Sequence, residues 1–171
     1  MDNPFVINLS GLKPGNHSFR FSVDDGLFER MPHSPIRQGR LEAAVDLDKR
    51  TDMLVLDISF EGTVHVPCDR CNEPFDLPVE GAEEVLVKFT DAPMDDEPEL
   101  IYLPKGTTEF DCSQILYELV MLHLPLQMVH PDRDGQPGCP EDALARFERE
   151  PEEPEPPTEE ESIWDVLKDL D

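Results

Sequence analysis

Positive charge is scarce in this chain. Lys and Arg number 14 against 39 Asp and Glu in 171 residues, a net charge of −25. So negative a chain repels phosphate, and binding nucleic acid then requires a local group of cations. The few cations gather early, with Arg20, Arg30, Arg37, Arg40, Lys49 and Arg50 in the first third. Long apolar runs are also lacking, so no segment reads as a membrane span. Asp2, with no cationic stretch ahead of an apolar one, makes a poor signal peptide. Cysteine is limited to four residues, which in an unexported chain points to reduced thiols and a cytoplasmic location. There is no Gly-rich phosphate loop, G-x-S-x-G elbow or H-E-x-x-H pair. The expectation is no enzyme, no small-molecule substrate and no membrane, with attraction to basic partners.

Regular alternation dominates the first half. Phe19, Phe21 and Val23 share one face of a strand, and Phe5–Leu9 is a shorter candidate. Leu41, Ala43, Val45 and Leu47, then Leu54, Leu56, Ile58 and Phe60, repeat at period two across a turn at Lys49–Asp52, which predicts a hairpin with one buried face. Val64 and Val66 extend the second strand, and Phe75, Leu77, Val79, Val85, Val87 and Phe89 continue beyond a turn. Residues 91–99 hold five acids and two prolines and read as an exposed loop, followed by a short strand at 100–103. Asp111 is a good N-cap for a helix whose apolar stripe is Ile115, Leu116, Leu119, Val120 and Leu122, with Pro125 beyond its end. The fold class expected is α+β. It has a mainly antiparallel sheet, a long β-hairpin bearing a C-x-x-C knuckle, and one core helix packed on the sheet.

The domain is placed at residues 1–148. From 150 to 161 the chain has seven Glu and four Pro in twelve residues, so 149–161 reads as a solvated, self-repelling linker. Residues 162–171 turn amphipathic, with Ile163, Trp164, Leu167 and Leu170 on one side of a short helix. This suits a tethered docking element with an aromatic anchor, and equally a segment that folds back on its own sheet.

Chemistry concentrates at Cys68-Asp69-Arg70-Cys71. Two thiolates at this spacing grip a metal from a tight turn or form a redox pair. A redox pair should open a helix, whereas Pro74 and the strand-like Phe75–Val79 follow here. A closed zinc site needs four ligands, and the set that best completes it is Cys68, Cys71, His130 and Cys139, Cys139 lying in the loop Gln136-Pro137-Gly138-Cys139-Pro140. Zinc is the candidate cofactor, and a metal-free pair of reduced cysteines is the alternative. Cys112, at the start of the apolar helix, reads as a small buried hydrophobe. His17, His33 and His123 read as ordinary histidines.

Taken together, these residues resemble the YceD family, the large ribosomal RNA subunit accumulation proteins. Val66-Pro67-Cys68-Asp69-Arg70-Cys71-Asn72-Glu73-Pro74-Phe75 is similar to the family's C-x-R-C-x-x-P-F centre. Asp111–Leu126 resembles its helix ending in a Leu-Pro step, His130 and Cys139 fall in its polar loop, and Ile163–Leu170 resembles its terminal segment. The resemblance implies a cytoplasmic, non-enzymatic protein needed for accumulation of large-subunit (23S) rRNA. Three functional readings follow. The first is a ribosome-biogenesis factor that contacts a basic ribosomal protein or assembly factor, with Arg70, Phe75, Ile163, Trp164, Leu167 and Leu170 as partner-binding residues. The second is a zinc-knuckle protein that binds 23S rRNA directly through the knuckle and the early arginines. The third is a thiol redox protein, which requires a low thiol pKa at Cys68 or Cys71.

Overall fold

In a computed structural model of the chain, the described residues are 3–91, 100–132, 135–136 and 138–147. The elements in order are β1 (Val6–Asn8), β2 (Gly15–Val23), α1 (Asp25–Arg30), β3 (Gln38–Lys49), β4 (Met53–Pro67), β5 (Pro74–Thr90), β6 (Leu100–Pro104), β7 (Glu109–Asp111), α2 (Ser113–Leu122) and α3 (Glu141–Phe147). Five strands form one sheet in the order β2-β3-β4-β5-β6, and β1 with β7 makes a separate antiparallel pair. The fold is α+β, and its sheet is mostly antiparallel.

Alternation accounts for the large sheet. Leu41, Ala43, Val45 and Leu47 of β3 and Leu54, Leu56, Ile58 and Phe60 of β4 are all buried, and Lys49 pairs with Leu54 across the turn. β4 and β5 stay paired from Met53↔Lys88 to Pro67↔Pro74, so the C-x-x-C turn caps the longest hairpin. One pairing departs from the rest: β6 lies parallel to β5, with Leu86 opposite Leu100. Alternation sets which face is buried but says nothing of strand direction.

On the buried face, α2 packs through Ile115, Leu116, Leu119 and Val120, and Phe28 of α1 meets Tyr117 at 6.4 Å between ring centroids. His123, just past α2, stands edge-on to Phe60 at 5.4 Å. Gly81 makes room for it, since a Cβ there would come within 2.5 Å of the imidazole. Two expectations about this helix need correcting. Leu122 is 76% exposed rather than part of the stripe. At 3.6 residues per turn it lies in the last turn on the far margin of the stripe, next to Ile115. Asp111 ends β7, and Cys112 occupies the cap position without a side-chain bond. Asp111 still accepts the Ser113 amide at 2.8 Å, so it satisfies a first-turn donor from one residue further out.

The opposite face of the sheet is polar. Glu42, Glu61 and Glu80 sit directly opposite one another across β3, β4 and β5. Four positions along, Asp46, Asp57 and Glu84 do the same, with Ala44, Ser59 and Ala82 between the two rows. All six acids are exposed. Among the described residues, only Asp46 has a partner, the Ser18 hydroxyl. No helix among the described residues is long and apolar enough to cross a membrane.

Candidate metal centre

The knuckle is a tight turn held by its own backbone. The Cys68 amide donates to Glu73 O at 3.0 Å, and the Asn72 amide donates to Cys68 O at 2.8 Å. Asn72 has φ 60°, a left-handed conformation that Asn tolerates better than most residues. β5 starts at Pro74 and no helix follows the second cysteine.

The segment after α2 runs past this turn. Met128 and Asp69 exchange bonds: the Asp69 amide donates to Met128 O at 2.8 Å, and the Met128 amide donates to the Asp69 carboxylate at 2.7 Å. Two residues on, the His130 ring lies against Phe75, with centroids 4.5 Å apart and planes inclined by 30°. The chain then returns through Gly138, where a Cβ would stand 2.0 Å from Pro131 O, and delivers Cys139. α3 follows and docks on the knuckle, where Arg146 Nη2 donates to Glu73 Oε1 at 2.9 Å.

Cys68, Cys71, His130 and Cys139 thereby offer four donor atoms within 4.8 Å of one another and could hold a metal. Cys68 Sγ lies 3.8 Å from Cys139 Sγ, and Cys71 Sγ lies 3.5 Å from His130 Nδ1. A tetrahedral ion with Zn–S of about 2.3 Å and Zn–N of about 2.0 Å separates two sulfurs by about 3.8 Å and a sulfur from a nitrogen by about 3.5 Å. Those two separations match a single tetrahedral ion, and the four donors together could hold one. All four cysteines are free thiols, and Cys112, fully buried at the start of α2, is not part of the cluster.

The thiols differ in acidity. Burial raises Cys68, but the amides of His130, Arg70 and Cys71 and the His130 side chain outweigh it and bring the thiol down to about 6. Cys139 is pushed up to about 11, first by burial and then by the sulfurs of Cys71 and Cys68. Three thiols this close cannot all ionise unaided, and a divalent cation among them would remove the obstacle. The low value at Cys68 meets the condition set for a redox protein. Burial argues the other way: Cys68 and Cys71 are 2% exposed and Cys139 6%, which leaves little room for an incoming disulfide.

The structure also locates the residues expected to bind a partner. Arg70 pairs with Asp132 at 3.4 Å, so its charge is shared with a carboxylate. Phe75 is 9% exposed and forms a wall of the cluster, not a free surface, as its place in the alternating series Phe75, Leu77, Val79 required. Ile163, Trp164, Leu167 and Leu170, the linker 149–161 and the segment 162–171 lie outside the described residues. Sequence reasoning missed Asp69 and Gly138. The only signal for either was position, between the two cysteines and beside the third.

The fold and this centre define an α+β domain whose longest hairpin ends in a cysteine knuckle, with a His and a third Cys supplied by the chain beyond the core helix. The chain belongs to the YceD family: the family model described as Large ribosomal RNA subunit accumulation protein YceD matches residues 56–171, more than half of its length. Comparison with curated proteins and with solved structures gave no match.

Proposed function

We propose that this protein supports accumulation of large-subunit rRNA without catalysing a reaction, by holding a basic ribosomal protein or assembly factor. The observation that carries this reading is the polar sheet face. Like charges directly opposite on neighbouring strands destabilise a sheet. Here Glu42–Glu61–Glu80 and Asp46–Asp57–Glu84 repeat that arrangement twice, and Arg20 and Arg40, the arginines beside them on this face, form no ion pair with any of the six and are too few to neutralise them. A lysine- or arginine-rich partner would supply the missing charge, steered by long-range attraction that salt weakens. The same face would repel rRNA phosphate. In this reading zinc sits between Cys68, Cys71, His130 and Cys139 and ties the segment after α2 to the sheet. Ile163, Trp164, Leu167 and Leu170 add a tethered apolar contact.

The test is affinity capture from cells, read by both mass spectrometry and RNA sequencing. It compares the intact chain with a Glu42→Gln, Glu61→Gln, Glu80→Gln variant and with a chain ending at residue 148. The expected result is a basic ribosomal protein or assembly factor recovered in a salt-sensitive way, reduced in both variants. Recovery of 23S rRNA that survives removal of all co-purifying protein, and is unchanged by neutralising the glutamates, would favour the direct RNA reading instead.

A further inference from the structure

We propose that Asp69 and Arg70, the two residues between the knuckle cysteines, position His130 for the metal. The proposal rests on the metal reading of the cluster. His130 comes from a stretch with no regular secondary structure, 59 positions from Cys71. Something must fix it in space, and the knuckle holds it on both sides. Two residues before His130, Met128 exchanges both backbone groups with Asp69, at 2.8 and 2.7 Å. Two residues after it, the Asp132 carboxylate takes the Arg70 guanidinium at 3.4 Å. The Phe75 ring then sets the plane of the imidazole at 4.5 Å. The turn that supplies two sulfurs therefore also delivers the nitrogen, through contacts that touch no metal. Such outer contacts govern how well a ligand is presented.

The two clamp residues contribute differently. Asp69 acts as an acceptor of the Met128 amide, so its oxygen matters and its charge does not. Arg70 acts partly through charge, because three thiolates outweigh the two positive charges of a zinc ion and leave the site negative. A neutral residue that keeps the oxygen should replace Asp69, whereas a residue without it should not.

The experiment is Co²⁺ titration of the reduced full-length protein, followed by thiolate-to-cobalt charge transfer and the visible ligand-field bands. Asp69→Ala should weaken binding by roughly 10- to 100-fold, the usual cost of losing an outer-shell partner. Asp69→Asn should restore binding to within about 3-fold of wild type, a span of well under 1 kcal/mol. Arg70→Gln should weaken binding, and Arg70→Lys should recover part of the loss. Melting temperatures in excess chelator should agree for wild type, Asp69→Ala and Asp69→Asn, separating positioning from general stability. Equal affinities for wild type and Asp69→Ala, or a chelated Asp69→Ala protein that melts far below wild type, would overturn the positioning role. If the wild-type protein takes up neither cobalt nor zinc, the metal reading itself fails, a result distinct from either.

Discussion

Substituting Gly138 by Ala tests the centre where its geometry is tightest. The added Cβ would stand 2.0 Å from Pro131 O, 3.1 Å from Pro131 C and 3.5 Å from His130 Cβ. Gly138 is outside the left-handed region, so the cost is one of space alone. Close carbon–oxygen contacts in proteins settle at about 3.3 Å, so the two backbone segments must part by about 1.3 Å. Each segment carries a candidate ligand, His130 directly before Pro131 and Cys139 directly after Gly138. A shift of that size is more than half of a Zn–S bond of about 2.3 Å, too much for four donors to close on one ion. Overpacking of this kind costs roughly 1–3 kcal/mol. Charged entirely to the metal-bound state, that is roughly a 5- to 150-fold loss of affinity at 1.4 kcal/mol per decade. The assay is zinc competition against a chromophoric chelator, with melting measured in parallel with and without excess chelator. Gly138→Ala should bind zinc more weakly and lose most of the melting shift that zinc gives wild type. A variant with wild-type zinc affinity and an unchanged melting shift would refute the assignment of Cys139 and His130 to one ion.

Chelating the native protein should lower its melting temperature and raise amide exchange in α3 and at 128–132 while leaving the centres of β3 and β4 protected; uniform protection before and after chelation would count against a metal. Cys112 sets an alkaline limit. Burial, reinforced by the Asp111 charge, raises its thiol from 9.0 to about 12, so above pH 9 the unfolded chain loses a proton that the folded chain keeps. Stability should then fall with rising pH by about 1.4 kcal/mol per unit from this group alone. Urea unfolding at a series of pH values above 9 should show a shallower fall for Cys112→Ala, and identical slopes would refute it. Leu116→Ala, at 1% exposure, should cost about 2–5 kcal/mol in the same assay, whereas Leu126→Ala, fully exposed, should stay within about 0.5 kcal/mol of wild type. Comparable losses would mean that the solvent-exposed turn after α2 is packed in solution.

What could be read from the residues was what depends on local period. Leu41–Leu47 and Leu54–Phe60 alternate without interruption because one side of β3 and β4 is buried along its length. The turn at Lys49–Asp52 was as plain, since the Arg50 amide reaches Met53 O and closes it. The pairing of β1 with β7 and the parallel entry of β6 were not legible. Both depend on contacts between strands about a hundred residues or a crossover apart, for which three to five residues carry no signature. Phe75 shows two signals in conflict. Motif position suggested a partner contact, while the period-two pattern placed it with Leu77 and Val79 on the buried side, and burial prevailed. For the centre, the C-x-x-C spacing pointed to Cys68 and Cys71 because both come from one turn. His130 and Cys139 were reached only through residue chemistry, and the contacts that deliver them, Asp69 to Met128 and Gly138 against Pro131, depend on the path of the chain.

In the proposed reading, the metal centre and the cation-binding face are separate. Cys68 and Cys139 are 71 positions apart, and Cys71 and His130 are 59. A cross-link closing a loop of that length is worth about 4 kcal/mol when treated as chain entropy, as for a disulfide. The segment it would secure, from Met128 to α3, leans on the knuckle through Asp69, Arg70 and Glu73. The acidic rows lie elsewhere, on the outer face of β3, β4 and β5, where backbone pairing runs from Gln38 to Lys88 and needs no ion. An ion at the knuckle would thus govern whether the later part of the chain stays attached. The carboxylate face would keep its shape in either state, so a cationic partner held there should be indifferent to chelation, while any contact made by residues beyond α3 should not.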